Sequence, residues 1–123
     1  MPVADKEVQR LRSANQRAQM VAMPGAPTVV VVPAVRLPSG WNASETTVRW
    51  VLSPAYPAAQ PDCFFADLNL RLASGAMPSN SGIQQLGNEQ LLWFSWHVQS
   101  WRPGRDDLLT YLRFIERRFV DAR

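Results

Sequence analysis

Apolar runs alternate with turn-forming residues along the middle of the chain and predict an antiparallel sheet. Thr28-Val29-Val30-Val31-Val32 is a β-branched run, and the residues from Thr46 to Leu52 alternate between apolar and polar positions. Pro38-Ser39-Gly40 separates these two segments, and a further apolar alternation runs from Phe64 to Leu72. Strands joined by turns produce such a pattern, because β-branched residues favour sheets and Gly, Pro and Ser interrupt them. We therefore predict a strand meander over residues 18–72.

Helical spacing is found nearer the two ends. The clearest apolar stripe, with three- and four-residue spacing, consists of Leu108, Leu112, Ile115 and Phe119. It predicts an amphipathic helix over residues 105–120, in which Gly104 to Asp107 supply the start and the negative charge. Residues 1–17 predict a weaker helix or arm, from Ala4 to about Arg17, with Asp5 as its candidate N-cap. This helix has few apolar anchors and must dock on the rest of the domain.

Two segments between the meander and the last helix differ sharply in composition. Residues 73–90 are rich in Ser, Gly, Asn and Pro, which predicts a long surface loop of the kind that often carries function. Residues 91–104 include three tryptophans and a phenylalanine, which are typical of a segment packed against a sheet. Together these patterns predict an α+β domain over residues 1–123.

Length and charge exclude several classes of function. A chain of 123 residues is long enough for one domain with a core, and it has no apolar run of the roughly 20 residues that a membrane helix needs. We therefore expect a cytoplasmic protein without a membrane partner. The net charge of +3 comes partly from Arg113, Arg117, Arg118 and Arg123, which alternate with acidic residues. This alternation predicts a solvated helix face and not a nucleic-acid surface.

The single cysteine, Cys63, limits the covalent and metal chemistry available. One cysteine and one histidine cannot form an internal disulfide or a cysteine-based zinc cluster, so we expect no metal and no cofactor. Cys63 precedes Phe64 and Phe65, which predicts a small buried apolar side chain. The neighbouring Asp62 would raise, not lower, the pKa of its thiol.

A series of short motifs occurs in order between residues 28 and 119. They are Ser53-Pro54-Ala55-Tyr56-Pro57, Pro61-Asp62, Leu72-Ala73-Ser74-Gly75-Ala76, Phe94-Ser95-Trp96-His97, Trp101-Arg102-Pro103-Gly104 and Asp106-Asp107-Leu108. This series resembles the bacterial branch of the ubiquitin-conjugating (UBC) superfamily called prokaryotic family E. The resemblance implies a UBC-like fold with an N-terminal helix, a four-stranded antiparallel meander and a C-terminal amphipathic helix packed on the sheet. Trp96 departs from that branch, which usually has an arginine in its Trp-Ser-Arg-His signature.

The resemblance also implies partners and a reaction. Members of that branch are found in gene clusters with ubiquitin-like modifiers and adenylating activating-type enzymes, some of them implicated in phage defence. A conventional carrier of the superfamily holds the modifier's acyl group on a cysteine, because a thiolate is both a good nucleophile and a good leaving group. The family's spacing from Tyr56 leads to Ser81, and its spacing back from Trp101 leads to Trp93. Neither position holds a thiol.

Three residues are therefore the candidates for an atypical chemistry. Ser79 and Ser81 lie in the predicted loop, where either hydroxyl could carry an oxyester if a base activated it. His97 is the only histidine available as that base, or as a group that contacts the modifier. The alternative for His97 is a hydrogen-bonded side chain that anchors the aromatic segment to Asp106 or Asp107. Trp101, Pro103 and Gly104 are interpreted as structural residues that fix the start of the last helix.

Two functions of different classes follow from these observations. The first is a UBC-like component of a bacterial ubiquitin-like modification system that lacks the usual catalytic cysteine. Such a component would be either an atypical acyl carrier or an inert, partner-binding variant. The second is a non-enzymatic adaptor domain of a bacterial defence assembly, which would bind other proteins through its aromatic segment without any modifier.

Overall fold

The computed structural model describes residues 5–22, 27–96 and 98–123. Within these ranges it is an α+β structure with a helix near each end and a six-stranded antiparallel sheet between them. The elements are α1 (Asp5–Ala14), β1 (Gln19–Val21), β2 (Thr28–Arg36), β3 (Glu45–Leu52), β4 (Cys63–Ala66), β5 (Ser81–Leu86), β6 (Glu89–Ser95) and α2 (Leu108–Val120). The α+β class and both helices are confirmed, whereas the prediction of four strands is wrong.

The sheet is built from a meander and an added hairpin. Its strand order is β1-β2-β3-β4-β6-β5, with every neighbouring pair antiparallel. β1 to β4 follow one another along the chain and across the sheet, and the meander ends at Ala66. The β2–β3 register shifts between Val32 and Val35, at a bulge that contains Pro33. A bulge tolerates proline because its residues need not donate to the ladder.

The two unpredicted strands form the hairpin from residue 81 to residue 95. β6 is the first part of the aromatic segment and pairs with β4, so the aromatic residues extend the sheet itself. β5 lies inside the segment that was predicted to be a loop over residues 73–90, and it pairs with β6. Gly87, with a φ of 63°, starts the two-residue turn between them, a position that type II′ hairpin turns give to glycine. The irregular segment therefore ends at residue 80.

The core lies between α2 and one face of the sheet. The predicted stripe is confirmed, since Leu108, Leu112, Ile115 and Phe119 are all buried. The sheet residues that meet them include the buried Val30, Val32, Val48, Trp50, Leu52, Phe64 and Phe94. Phe119 packs edge-on against Phe64 and Phe94, with ring centroids 5.6 and 5.8 Å apart. Such edge-to-face contacts add to the free energy of apolar burial.

Side chains satisfy the first amides of α2 and fix where that helix begins. Asp107 caps α2 in a reciprocal capping box with Thr110, so the helix starts at Leu108, three residues later than predicted. α1 ends at Ala14 and docks against α2 through the buried Leu11. No helix in the described ranges is long and apolar enough to cross a membrane.

Candidate functional site

Two motifs of the predicted series, those of Tyr56-Pro57 and of Trp101, meet close to the start of α2. The Tyr56 and Trp101 rings lie 6.0 Å apart, and Trp101 Nε1 donates a hydrogen bond to the Pro57 carbonyl at 2.8 Å. Tyr56 and Pro61 are buried, and the Tyr56-Pro57 peptide bond is cis. The two motifs are 44 residues apart in sequence at this contact, so the fold brings them together.

The turn before α2 is held by its own polar groups. Asp106 Oδ2 accepts a hydrogen bond from the Arg102 amide at 2.7 Å, and Pro103 forms an isolated bridge with Asp106. Gly104 has a φ of +84°, a left-handed conformation that strains residues with a Cβ atom. These contacts agree with a structural role for Pro103 and Gly104, and they engage the Asp106 carboxylate, one of two proposed partners of His97.

Glu7, which belongs to none of the predicted motifs, connects three parts of the molecule. Its Oε1 accepts hydrogen bonds from the Tyr56 hydroxyl and from the Leu108 amide, the latter at 3.0 Å. Burial, together with the hydrogen bond to Glu7, raises the pKa of Tyr56 well above its ordinary value. Glu7 lies one helical turn before the buried Leu11. This i, i+4 spacing is the sequence signal that Glu7 lies on the same face of α1 as Leu11.

An open depression of about 330 Å³ lies beside this cluster. Its charged lining residues are Lys6, Glu7, Arg10, Arg105, Asp106 and Asp107. The acidic groups are already engaged, because Asp107 forms an ion pair with Arg10 at 2.7 Å and Glu7 caps α2. No three His, Cys, Asp or Glu side chains of the described ranges come together as a metal site would require. We interpret this region as a structural junction.

Ser79 and Ser81 lie at the other end of α2. Ser79 is exposed, and its main chain is held on both sides: its amide donates to the Arg123 carbonyl and its carbonyl accepts from Arg118, each at 3.0 Å. The half-buried Ser81 donates its hydroxyl to the Pro78 carbonyl at 2.6 Å. The two predicted nucleophiles therefore differ, because only the Ser81 hydroxyl is engaged by a protein acceptor in the described ranges.

Arg118 is buried, which corrects the prediction that all the arginines of the last helix face solvent. It is 3% exposed, whereas Arg113, Arg117 and Arg123 are exposed as expected. The guanidinium donates to the carbonyls of Ser79, Asp121 and Arg123. Burial, followed by the charge of Arg123, lowers its pKa despite the nearby Asp121.

Aromatic faces surround the Arg118 guanidinium. Its central carbon lies 5.2 Å from the Phe94 ring centroid, 5.5 Å from Trp96 and 5.9 Å from Trp41. These distances are in the range of cation–π attraction. Arg118 follows the buried Ile115 by three residues, so the helical stripe itself was the sequence signal that it points inward.

His97 lies outside the described residues, but the chain just before it can be located. The Ser95 amide donates to the Asn80 carbonyl at 2.9 Å, so the segment that carries Ser79 and Ser81 runs beside the end of β6. The half-buried Trp96 packs between Phe114 and Arg118, and its carbonyl accepts from the Tyr111 hydroxyl at 2.8 Å. Trp96 therefore contributes to internal packing at the position where the family signature usually has an arginine.

Cys63 is separated from both serines by the sheet. It is the first residue of β4 and lies opposite Ser95, one position away from the core pair Phe64 and Phe94. Because side chains alternate along a strand, Cys63 points to the face away from α2, whereas Ser81, opposite Phe94, lies on the α2 face. Burial raises the pKa of the half-buried thiol, hydrogen bonding with Trp93 opposes this rise, and Asp62 adds to it.

Comparison with known proteins identifies one family. The sequence model of the family described as prokaryotic E2 family E matches residues 2–122. No curated protein and no solved structure matches the chain significantly.

Proposed function

Because this chain belongs to the prokaryotic E2 family E, we propose that it is a partner-binding component of a bacterial ubiquitin-like modification system that carries no acyl group on a thiol. The observation that carries the proposal is the environment of Cys63, the only cysteine. Its raised pKa disfavours the thiolate, which is the nucleophilic form, and it lies on a strand and not in a loop. A cysteine in this state is poorly suited to receive and release a modifier.

The proposal assigns the chain a UBC-like fold over its single domain. Support comes from the order of α1, the β1–β4 meander, the Tyr56-Pro57 turn and α2, which follows the layout implied by the motif series. The contact between Tyr56 and Trp101 further supports it, because the two landmarks of that series pack together. The β5–β6 hairpin is an extension of this layout.

The proposed partners are a ubiquitin-like modifier and an adenylating activating-type protein. An inert variant needs only a surface that such partners recognise, and it requires no base or nucleophile. The engaged Ser81 hydroxyl and the interpretation of the Glu7–Asp107 region as a structural junction both support a binding role.

Intact-mass spectrometry tests this function directly. The protein would be incubated with ATP and with the modifier and activating-type enzyme from its gene cluster, and binding of the uncharged modifier would be measured in parallel by calorimetry. We expect binding without a covalent adduct. An adduct that reducing agent removes, and that Cys63→Ala abolishes, would contradict the proposal. A gene cluster without a modifier and an activating-type gene would favour the adaptor function instead.

A second candidate is an oxyester carrier that uses Ser79. It is favoured by the exposure of Ser79 and by the hydrogen bond from the Ser95 amide to the Asn80 carbonyl, which brings this segment beside the chain that leads to His97. In that reaction the Ser79 oxygen would bond to the modifier's terminal carbonyl carbon. The activating enzyme's thiolate would leave, and a base would take the hydroxyl proton. His97 remains the proposed base.

The same mass experiment distinguishes the two serines. A carrier would give an adduct that resists reducing agent and is lost in Ser79→Ala. Ser81→Ala is the matched control, because it removes an equivalent hydroxyl two residues away. Loss of the adduct in His97→Ala with retained folding would support the histidine as base, and an unchanged adduct in all three variants would contradict this mechanism.

A further inference from the structure

β5 forms one edge of the sheet. It is bonded to β6 on one side, and no strand of the described ranges pairs with its other side. The opposite edge, β1, has only three residues, whereas β5 has six. Short edge strands are one of the ways in which proteins prevent unwanted pairing, so β1 is protected by its length and β5 is not.

The register of the hairpin shows which backbone groups of β5 point outward. The Ser95 amide bonds to the carbonyl of Asn80, its partner across the ladder. Bonded and non-bonded pairs alternate in an antiparallel ladder, so Gly82, Gln84 and Leu86 direct their amides and carbonyls toward β6. The amides and carbonyls of Ser81, Ile83 and Gln85 consequently point away from the sheet.

The side chains of β5 do not protect this edge. Natural edge strands commonly carry lysine, proline or inward-pointing charges, and the sequence Ser-Gly-Ile-Gln-Gln-Leu has none of these. Ile83 is 50% exposed, one of the few large apolar side chains of the described residues that face solvent to this extent. An uncharged strand with an exposed isoleucine at the middle of its outward set is suited to pairing.

We infer that the occupant of this edge is a second copy of the chain, paired antiparallel through β5 about a two-fold axis at Ile83. Self-pairing places identical strands side by side, so charged side chains on the edge strand would repel the same side chains of the second copy. β5 has no charged side chain and avoids this repulsion. With this axis Ser81 of one copy faces Gln85 of the other, the two Ile83 residues face each other, and each outward amide faces an outward carbonyl. This inference is independent of the proposed function.

The expected dimer is weak and reversible. A single six-residue edge buries much less than the roughly 1,000 Å² that a stable protein interface requires. Its backbone bonds and the two isoleucines are therefore expected to give association that depends on concentration. Sedimentation velocity would be measured on the full chain from about 10 µM to 1 mM, the range in which weak complexes form.

Two variants place one positive charge either within the paired β5 segment or outside it. Ile83→Lys puts two lysines on the symmetry axis, and we expect the dissociation constant to rise at least about tenfold, as 1.4 kcal/mol of repulsion would produce. Asn88→Lys adds the same charge in the hairpin turn, beyond the paired segment, and is expected to dimerise like the wild type. Circular dichroism would verify that both variants are folded.

A cross-linking experiment tests the register independently. In a Cys63→Ser background, Ile83→Cys is expected to form an inter-chain disulfide under mild oxidation faster than Asn88→Cys does. A wild-type chain that stays monomeric up to 1 mM would overturn the inference, and so would Ile83→Lys that dimerises as tightly as the wild type. Equal oxidation rates for the two cysteine variants would contradict the proposed axis.

Discussion

Arg118 brings a positive charge into the interior of the molecule. Its bonds go to the carbonyls of Ser79, Asp121 and Arg123, so one guanidinium joins the end of α2 to the segment before β5. The planar group can donate to several acceptors while its faces contact aromatic rings, which a lysine ammonium cannot do. Arg118 therefore stabilises the position of Ser79 as well as the helix end.

Replacing Arg118 tests this role. Arg118→Met keeps much of the side-chain volume but leaves the carbonyls without donors, and we expect the free energy of unfolding to fall by about 2–4 kcal/mol. Arg117→Met, at an exposed neighbouring position, should change it by less than about 0.5 kcal/mol. Urea unfolding at neutral pH gives both values. Equal stability of the two variants would contradict a structural role for Arg118.

Cys63 allows a test of thiol reactivity. Half-burial and a raised pKa both reduce the exposed thiolate, so alkylation by iodoacetamide at pH about 7.5 should be at least about tenfold slower in the folded protein than in urea. The chain in urea is the control, because it has the same residue without the fold. Equal rates would show an accessible, reactive thiol and would weaken the proposed function.

At the scale of elements, α1 and α2 depend on each other at the start of α2. The helix end there has unsatisfied amides, which Asp107 satisfies from within and Glu7 satisfies from α1. The ion pair between Arg10 and Asp107 adds a second link. α1 is thus fixed by these polar contacts together with the buried Leu11 and the half-buried Val8.

The acid sensitivity of this junction can be predicted. Burial alone would raise the pKa of Asp107. The hydrogen bonds from Thr110 and the positive charge of Arg10 lower it by a larger amount, so the net shift is downward. A lowered pKa means that the stabilisation is present above the unfolded value of about 3.9 and is lost as the pH falls through the folded value. Asp107→Asn retains a capping side chain but has no charge to lose.

We expect Asp107→Asn to be less stable than the wild type at pH 7, and the difference to shrink as the pH falls below about 4. Urea midpoints at both pH values measure this convergence. Glu89→Gln, which removes an exposed carboxylate of the hairpin, is the matched control variant. A constant gap between Asp107→Asn and the wild type would contradict the assigned shift.

A double-mutant cycle measures the link between α1 and the Tyr56-Pro57 turn. Tyr56→Phe and Glu7→Gln each weaken the hydrogen bond between these residues, so the double variant should lose less stability than the sum of the two single variants. The expected coupling is about 1–2 kcal/mol, typical of hydrogen bonds to charged groups. If the stability losses of the two single variants were additive, Glu7 would stabilise the fold only through its hydrogen bond with the Leu108 amide.

At the scale of the whole molecule, the fold was predictable where one periodicity dominated. The valine run of β2 favours a strand because its residues are β-branched, and the apolar stripe of α2 specifies one helix face, so both elements were identified. β5 was missed because most of its residues are polar or exposed and its strand conformation depends on pairing with β6. Such tertiary stabilisation leaves little signal in the segment itself.

The site was harder to predict than the fold. The contact between Tyr56 and Trp101 could be anticipated from the motif series, because both landmarks belong to one layout. Helical spacing indicated that Arg118 and Glu7 face inward, but it did not indicate which groups they bond, because those groups lie 39 and 101 residues away in sequence. The role of His97 stays a prediction, because that residue lies outside the described ranges.

The alternation of side chains along the strands also places different residues on the two faces of the sheet. Cys63 and Trp93 lie on one face of the β4–β6–β5 ladder, and Ser81 lies on the opposite face, which α2 covers. A protein docked over Trp93 would leave Ser79 open to a second one. We therefore expect that two proteins bound to these opposite faces would not compete for the same residues.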